Sequence, residues 1–446
     1  MNEGPVQARA LLLVAALASA STLPGASPEA APPESDKPLA LVGGTLLTLG
    51  PQGTVENGTI LVRGGKVSAV GRDVTVPTGA TVVELRGRYV MPGIIDTHSH
   101  TAIEGNVNEC TDSVTAEVRV ADAIDDRDID IYRQLAGGVT TINVLHGSCN
   151  TIGGQNAVLK MRWGQPPDKL LFEGAPRGIK LALGENPKRS NFRIPGEQRY
   201  PATRMGVEVV LREAFAAARE YKREWEAYEK RVKALGPKVV APVPPRRDLR
   251  LEALRDVLDG KVLVHAHCYR ADEILMLLRV ADDFGFKVRT LQHGLEAYKV
   301  AKEIARHGAG VGTFIDWWAF KLEAYDATPY NPAILKQHGV LVSLNSDSNE
   351  LARRLYWDAA KAVKYGGVDE MEALAMVTRN AAVQLGIDKR VGTIEVGKDA
   401  DLAVFRSHPL SPDALCETTL VDGFVYFDRA RDLASRAAAT TAGGAR

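Results

Sequence analysis

The chain has no surplus charge of either sign. Its 446 residues hold 55 Lys and Arg against 55 Asp and Glu, a formal net charge of zero. That argues against bulk electrostatic binding to nucleic acid or an anionic membrane. No apolar run approaches the roughly 20 residues that a membrane-spanning helix needs. Cysteine is scarce: Cys110, Cys149, Cys268 and Cys416 are the only four, and none forms a Cys-x-x-Cys unit. That argues against a zinc knuckle. The absence of a Gly-x-Ser-x-Gly elbow argues against a serine hydrolase. The glycine-bearing stretch 147–156 lacks the Lys-Ser/Thr that would make it a nucleotide loop, and reads instead as a rim segment whose free amides face a ligand. What remains is an ordinary globular composition, 45% hydrophobic and 25% charged.

The most informative stretch is Val90-Met91-Pro92-Gly93-Ile94-Ile95-Asp96-Thr97-His98-Ser99-His100. It reads as a buried strand introduced by Pro-Gly. Side chains two apart on a strand share a face, so His98 and His100 project together, with Asp96 behind them. Two neutral imidazoles at that spacing suit a divalent transition metal. Further polar groups end later apolar runs: Lys180 after Gly178-Ile179, His265 and His267 in Val264-His265-Ala266-His267, His293 after Leu291-Gln292, and Asp347 after Leu344-Asn345-Ser346. One polar group at the C-terminal end of each of several strands is how a (β/α)8 barrel builds a site.

With these residues the chain resembles the amidohydrolase superfamily of metal-dependent hydrolases, and within it the imidazolonepropionase-related group, which includes dipeptidases. A second stretch, Val391-Gly392-Thr393-Ile394-Glu395-Val396-Gly397-Lys398-Asp399-Ala400-Asp401-Leu402, carries the same resemblance. The resemblance implies two divalent ions per chain, expected as zinc. His98, His100 and Asp347 would hold one, and His267 and His293 the other. It also implies that Lys180 carries a carboxylate derived from carbon dioxide and bridges both ions. Lys160 and Glu185 are rivals for that bridge, and a single-metal site stays open. His267 is preferred to His265 as a ligand because the residues after it match the family's strand-to-helix register. His146, His265, Tyr269 and Arg270 are candidates for substrate contact, and Arg270 would clasp a carboxylate through two hydrogen bonds. Asp347 is the candidate proton shuttle.

The expected activity is hydrolysis of an amide or peptide C–N bond in a small molecule or short peptide. A deaminase on the same fold is the alternative, as is a catalytically silent metal-binding protein. Deaminases of this kind carry a Glu shortly after the strand-five His, whereas here Cys268, Tyr269 and Arg270 follow His267.

The rest of the chain fits an α/β architecture. Residues 39–90 read as short strands and turns, and partner strands appear at 402–405 and 419–427, with Asp422-Gly423 as a hairpin turn. The expectation is a small β-sandwich built from both chain ends, 39–90 and 395–430, around a TIM-like barrel over 91–394. Helices are expected at 126–136, 272–284, 297–307, 350–365 and 369–385. A long charged helix at 205–235 reads as a lid over the catalytic face or a homo-oligomer contact, with a solvated surface helix as the alternative. Residues 431–446 read as a disordered tail. At the other end, Arg9, the apolar run 10–17 and Ala18-Ser19-Ala20 outline an export signal over 1–20, although Glu3 is out of place. A Pro/Ala/Ser linker, 21–38, follows. A periplasmic or extracellular location would permit disulfides. Cys110 with Cys149 is one candidate pair, and four free thiols are the other reading.

Overall fold

The structure is a computed structural model that describes residues 37–188, 199–235 and 240–443. The expected export signal lies outside the described residues, as does nearly all of the linker.

The strands form two eight-stranded sheets. The first takes β1 (Leu39–Leu47), β2 (Thr54–Arg63), β3 (Lys66–Gly71), β4 (Thr81–Glu84) and β5 (Tyr89–Pro92) from the front of the chain. The second runs β6 (Ile94–Ser99), β7 (Val139–Val144), β8 (Ile152–Lys160), β9 (Gly178–Ala182), β10 (Leu263–Cys268), β11 (Val288–His293), β12 (Gly310–Thr313) and β13 (Val342–Leu344) in sequence order. The chain then returns to the first sheet with β14 (Leu402–Phe405), β15 (Cys416–Val421) and β16 (Phe424–Asp428).

The two chain ends meet where β5 pairs antiparallel with β14, Met91 opposite Ala403. The product is one continuous hydrogen-bonded sheet built from both chain ends. It curls around its own core, which Leu41, Ile60, Val67, Val90, Leu402 and Leu420 share. The turn between β15 and β16 needs left-handed backbone at both central residues, and Asp422 (φ 50) and Gly423 (φ 77) supply it.

The second sheet is the barrel. Its entry is fixed by Gly93, where a Cβ would fall 2.1 Å from Thr140 Oγ1, so only glycine lets β6 and β7 approach. Its strands are parallel except β8, which runs antiparallel to both β7 and β9. This corrects the expectation of a fully parallel barrel. Half of the stretch read as a rim loop, from Ile152 onward, is barrel wall. No helix separates β7 from β8, which leaves only a hairpin-like return open to the chain. The ring closes between β13 and β6 through side chains, with Thr97 Oγ1 3.2 Å from Ser343 Oγ.

Most expected helices form. The one expected over 369–385 is broken into Glu370–Met376 and Arg379–Leu385. The break has a use: the Val377 carbonyl at its centre accepts a hydrogen bond from Ile95 N at 2.9 Å, beside the closing seam. The long helix, Arg204–Lys233, packs against the helices Leu249–Leu258 and Ala271–Phe284. Its buried face includes Val207, Leu211 and Phe215, and Phe215 stacks on Phe286 at 4.4 Å. The expected disordered tail is instead a helix, Arg429–Gly443. Alanine-rich sequence favours that helix, and Arg429 and Asp432 anchor it to Ala136 O and the Tyr132 hydroxyl at 3.0 Å each.

Barrel and terminal sheet are locked together by a buried charge cluster. Lys160, at the end of β8, lies 2.7 Å from Asp399 and 3.2 Å from Asp401 and also contacts Asp422. Lys160 is therefore a structural cation and not a rival for the metal bridge.

Candidate active site

The C-terminal ends of β6, β9, β10, β11 and β13 bring six of the expected residues together. His98, His100 and Asp347 each offer a ligand atom within 4.8 Å of the others, the one such group among the described residues. His293 lies 4.3 Å from His98, ring centre to ring centre, and His267 lies 4.8 Å from His293. Lys180 Nζ is 3.2 Å from His98 Nε2 and 3.3 Å from the His146 carbonyl.

Hydrogen bonding fixes how the first two imidazoles face the centre. His98 Nδ1 is 3.2 Å from Gln292 Oε1, and His100 Nδ1 is 2.9 Å from the Leu145 carbonyl. Both acceptors lack protons, so each Nδ1 must donate and each Nε2 is left with a bare lone pair. Those lone pairs point at Asp347 Oδ1, from 3.6 Å for His98 and 3.2 Å for His100. These converging electron-rich atoms suit a cation, and the Lys180 amine, 3.2 Å from His98 Nε2, is the cationic group beside them. Two further observations agree. His267 Nε2 and both ring nitrogens of His293 are buried without hydrogen-bond partners, a costly state unless something else binds them. Burial also keeps these rings neutral: His293 is pushed down to about 3, and His98 and His267 fall well below the ordinary imidazole value. Neutral imidazole is the form that ligates metal.

Burial pushes the Lys180 ammonium down to about 7, so a large fraction is the free amine near neutrality. Burial pushes Asp347 up, but the neighbouring His100, His293 and Lys180 outweigh it, leaving the carboxyl below its ordinary value. Asp347 (φ 44) and His293 (φ 73) both hold left-handed backbone, a strain that clusters at functional sites.

The supporting layer was only partly foreseen. Asp96 was expected behind the histidines, and it ties them to Asp347. Its carboxylate accepts from His98 N and Ser346 N at 3.1 Å each, and from the Ser346 hydroxyl. Gln292 was missed. Strand alternation assigns it to the face opposite His293, but the left-handed turn at His293 brings both toward His98. Gln292 Oε1 also accepts from Asn345 Nδ2 at 3.1 Å.

Three expected substrate-contact residues make their contacts elsewhere in this structure. Both ring nitrogens of His146 are engaged by backbone, Nε2 by Glu109 N and Nδ1 by Gly147 O, each at 2.9 Å. The ring braces two loops, and burial pushes it down to about 4. His265 sits beneath the ligands, 3.5 Å from Gln292 Nε2, and is 1% exposed. Arg270 spends its two-bond clasp on Asp272, two residues along its own chain, at 3.0 Å for both bonds. Tyr269 does line the site, its ring 4.7 Å from His267 and 5.5 Å from His293. Glu185, the other rival bridge, pairs with Lys321 at 3.3 Å. Cys110 and Cys149 form a disulfide between the loops after β6 and β7, and Cys268 and Cys416 are free and buried.

Comparison with known proteins shows the family of the chain. The model of the amidohydrolase family matches residues 89–429. An amidohydrolase, tasK, of Hapsidospora irregularis is 32% identical over 397 residues, 83% of this chain. The chain spans only 40% of that relative's length. An imidazolonepropionase of Mesorhizobium japonicum is 25% identical, covering 79% of this chain and 87% of its own. Among solved structures, an amidohydrolase from Thermotoga maritima MSB8 superposes with a TM-score of 0.79 at 34% identity, over 88% of this chain and all of that one.

Proposed function

Because the chain belongs to the amidohydrolase family, a hydrolase family acting on C–N bonds, we propose that it uses metal-activated water to cleave the amide or peptide bond of a small molecule or short peptide. The observation that carries this is the convergence of the Nε2 atoms of His98 and His100 on Asp347, beside the unpartnered nitrogens of His267 and His293.

His98, His100 and Asp347 would hold one divalent ion, and His267 and His293 a second, with zinc the expected metal for this nitrogen-rich set. Such an ion lowers the pKa of bound water to about 7 and polarises a carbonyl. Lys180 would bridge as the carbamate, which forms from the neutral amine that its burial favours. Asp347 remains ionised and accepts the proton from the attacking water. It then delivers that proton to the leaving nitrogen, so no covalent enzyme intermediate is needed. Gln292 and the Leu145 carbonyl hold His98 and His100 in the required tautomer throughout. Tyr269 walls the substrate side.

We also propose export, with the Cys110–Cys149 disulfide in support. The test of activity is a screen of metal-loaded protein against dipeptides and N-acyl amino acids, with ammonia release read in parallel. Release of free amino acids without ammonia is the expected result. Ammonia release from ring or amidine substrates alone would favour a deaminase, and inertness to every substrate would favour a silent metal-binding protein.

A further inference from the structure

Five rings form a closed circuit beginning at a candidate metal ligand. His293 stacks on Phe314 at 4.7 Å, and Phe314 stacks on Trp317 at 4.0 Å. Trp317 meets Phe320 at 5.2 Å, Phe320 meets Tyr269 at 6.0 Å, and Tyr269 returns to His293 at 5.5 Å. Phe314, Trp317 and Phe320 follow β12, and Tyr269 follows β10, so the circuit stands on the catalytic face of the barrel. His293, Phe314 and Tyr269 are buried and Trp317 is half-buried. The circuit's outermost member, Phe320, is 48% exposed, as is Trp318 beside it.

The charges next to this wall are already engaged. The Lys321 ammonium sits 4.5 Å above the Tyr269 ring and 5.6 Å from that of Phe320. It is held at 3.0 Å by Glu323, at 3.3 Å by Glu185 and at 3.0 Å by Asn186. Glu323 also takes Arg204 at 3.1 Å. The Lys321 charge is balanced by Glu323 and Glu185, while Phe320 leaves about half of its surface uncovered on this side.

We propose that Phe320, supported by Trp317 and Tyr269, is a specificity-determining residue that selects substrates carrying a large apolar or aromatic group beside the scissile bond. This rests on the hydrolase reading, because it assigns the substrate class of that site. Edge contacts with Trp317 and Tyr269 place the ring of Phe320 before substrate arrives, which lowers the ordering cost when an apolar group covers it. Covering the exposed half of a phenyl ring favours such substrates by on the order of tenfold.

The experiment compares wild type with Phe320→Ala and Phe320→Leu on dipeptides that vary in turn on each side of the bond, with glycine as reference. Wild type is expected to prefer a large apolar residue on one side. Phe320→Ala should cut that preference about tenfold, mainly through KM, and Phe320→Leu should restore most of it. A preference changed less than twofold in Phe320→Ala would overturn the inference. So would an intact preference accompanied by altered oligomeric mass, which would make Phe320 a subunit contact. If no peptide is hydrolysed, the hydrolase reading fails separately. Calorimetric binding of the same peptides to wild type and Phe320→Ala then decides the aromatic wall: equal affinity for apolar and glycine peptides overturns it, and an apolar preference that Phe320→Ala removes supports it.

Discussion

Lys160→Met tests the claim that a buried charge cluster holds the barrel to the terminal sheet. Methionine keeps most of the side-chain length and removes the charge. Lys160 is fully buried and Asp401 nearly so, with side-chain exposures of 0% and 2%, so solvent screening does not discount their interaction. Asp399 keeps Lys66 and Arg390 as partners, and Asp422 keeps Arg162. Asp401 has no other cation within ion-pair distance among the described residues, and its Oδ2 already lacks a hydrogen bond. The substitution thus strands one buried carboxylate, a loss of about 3–5 kcal/mol. In a domain of this size that corresponds to a fall in melting temperature of roughly 4–6 °C. Thermal melts followed by circular dichroism measure it, and Lys160→Met with Asp401→Asn should recover part of the loss. The cluster also sets a pH dependence. Burial pushes Asp399 up, but Lys160 and Arg390 outweigh it and hold it at about 2, below its ordinary 3.8. The native state therefore favours the ionised form. Its contribution is complete above about pH 4 and is lost as pH falls toward 2. Asp399→Asn should accordingly destabilise most near neutrality, with the difference from wild type shrinking below pH 4. A Lys160→Met melting shift under about 1 °C would refute the reasoning.

Two further outcomes are expected. Lys180→Ala should lower metal content from two ions per chain toward one and reduce turnover, as elemental analysis beside kcat would show; an unchanged content of two would remove Lys180 from the bridge. The Cys110–Cys149 disulfide closes a loop of sequence separation 39, worth about 4 kcal/mol by chain entropy. Cys110→Ser should therefore lower denaturant stability toward that of the reduced wild type, and equal stability in all three states would leave the bridge without a structural role.

The clustering of the six candidate residues was legible because strand chemistry made it so. His98 and His100 share a face by strand alternation, and Lys180, His267 and His293 each end an apolar run. Asp347 follows the last barrel strand, as expected. The terminal sheet was legible from the Asp422-Gly423 turn and from strands too few to stand alone. The reversal of β8 was not, because an apolar run carries no direction. Nor could the sequence show that backbone groups occupy both nitrogens of His146, or that Asp272 is near enough to absorb Arg270. Gln292 escaped because the left-handed backbone at His293 overrides the alternation that assigned it to the far face.

The central claim is that Asp347 serves metal-assisted hydrolysis as both ligand and proton shuttle. Asp347→Asn is the most direct test, read as kcat on the best substrate from the screen beside metal content and melting temperature. Asparagine keeps the shape and a ligating oxygen but cannot carry the proton. The expected protein is folded and at least partly metallated, with kcat reduced by on the order of 10²–10⁴. Activity within a few-fold of wild type would show that Asp347 does not shuttle the proton, and the hydrolytic mechanism proposed here would be wrong.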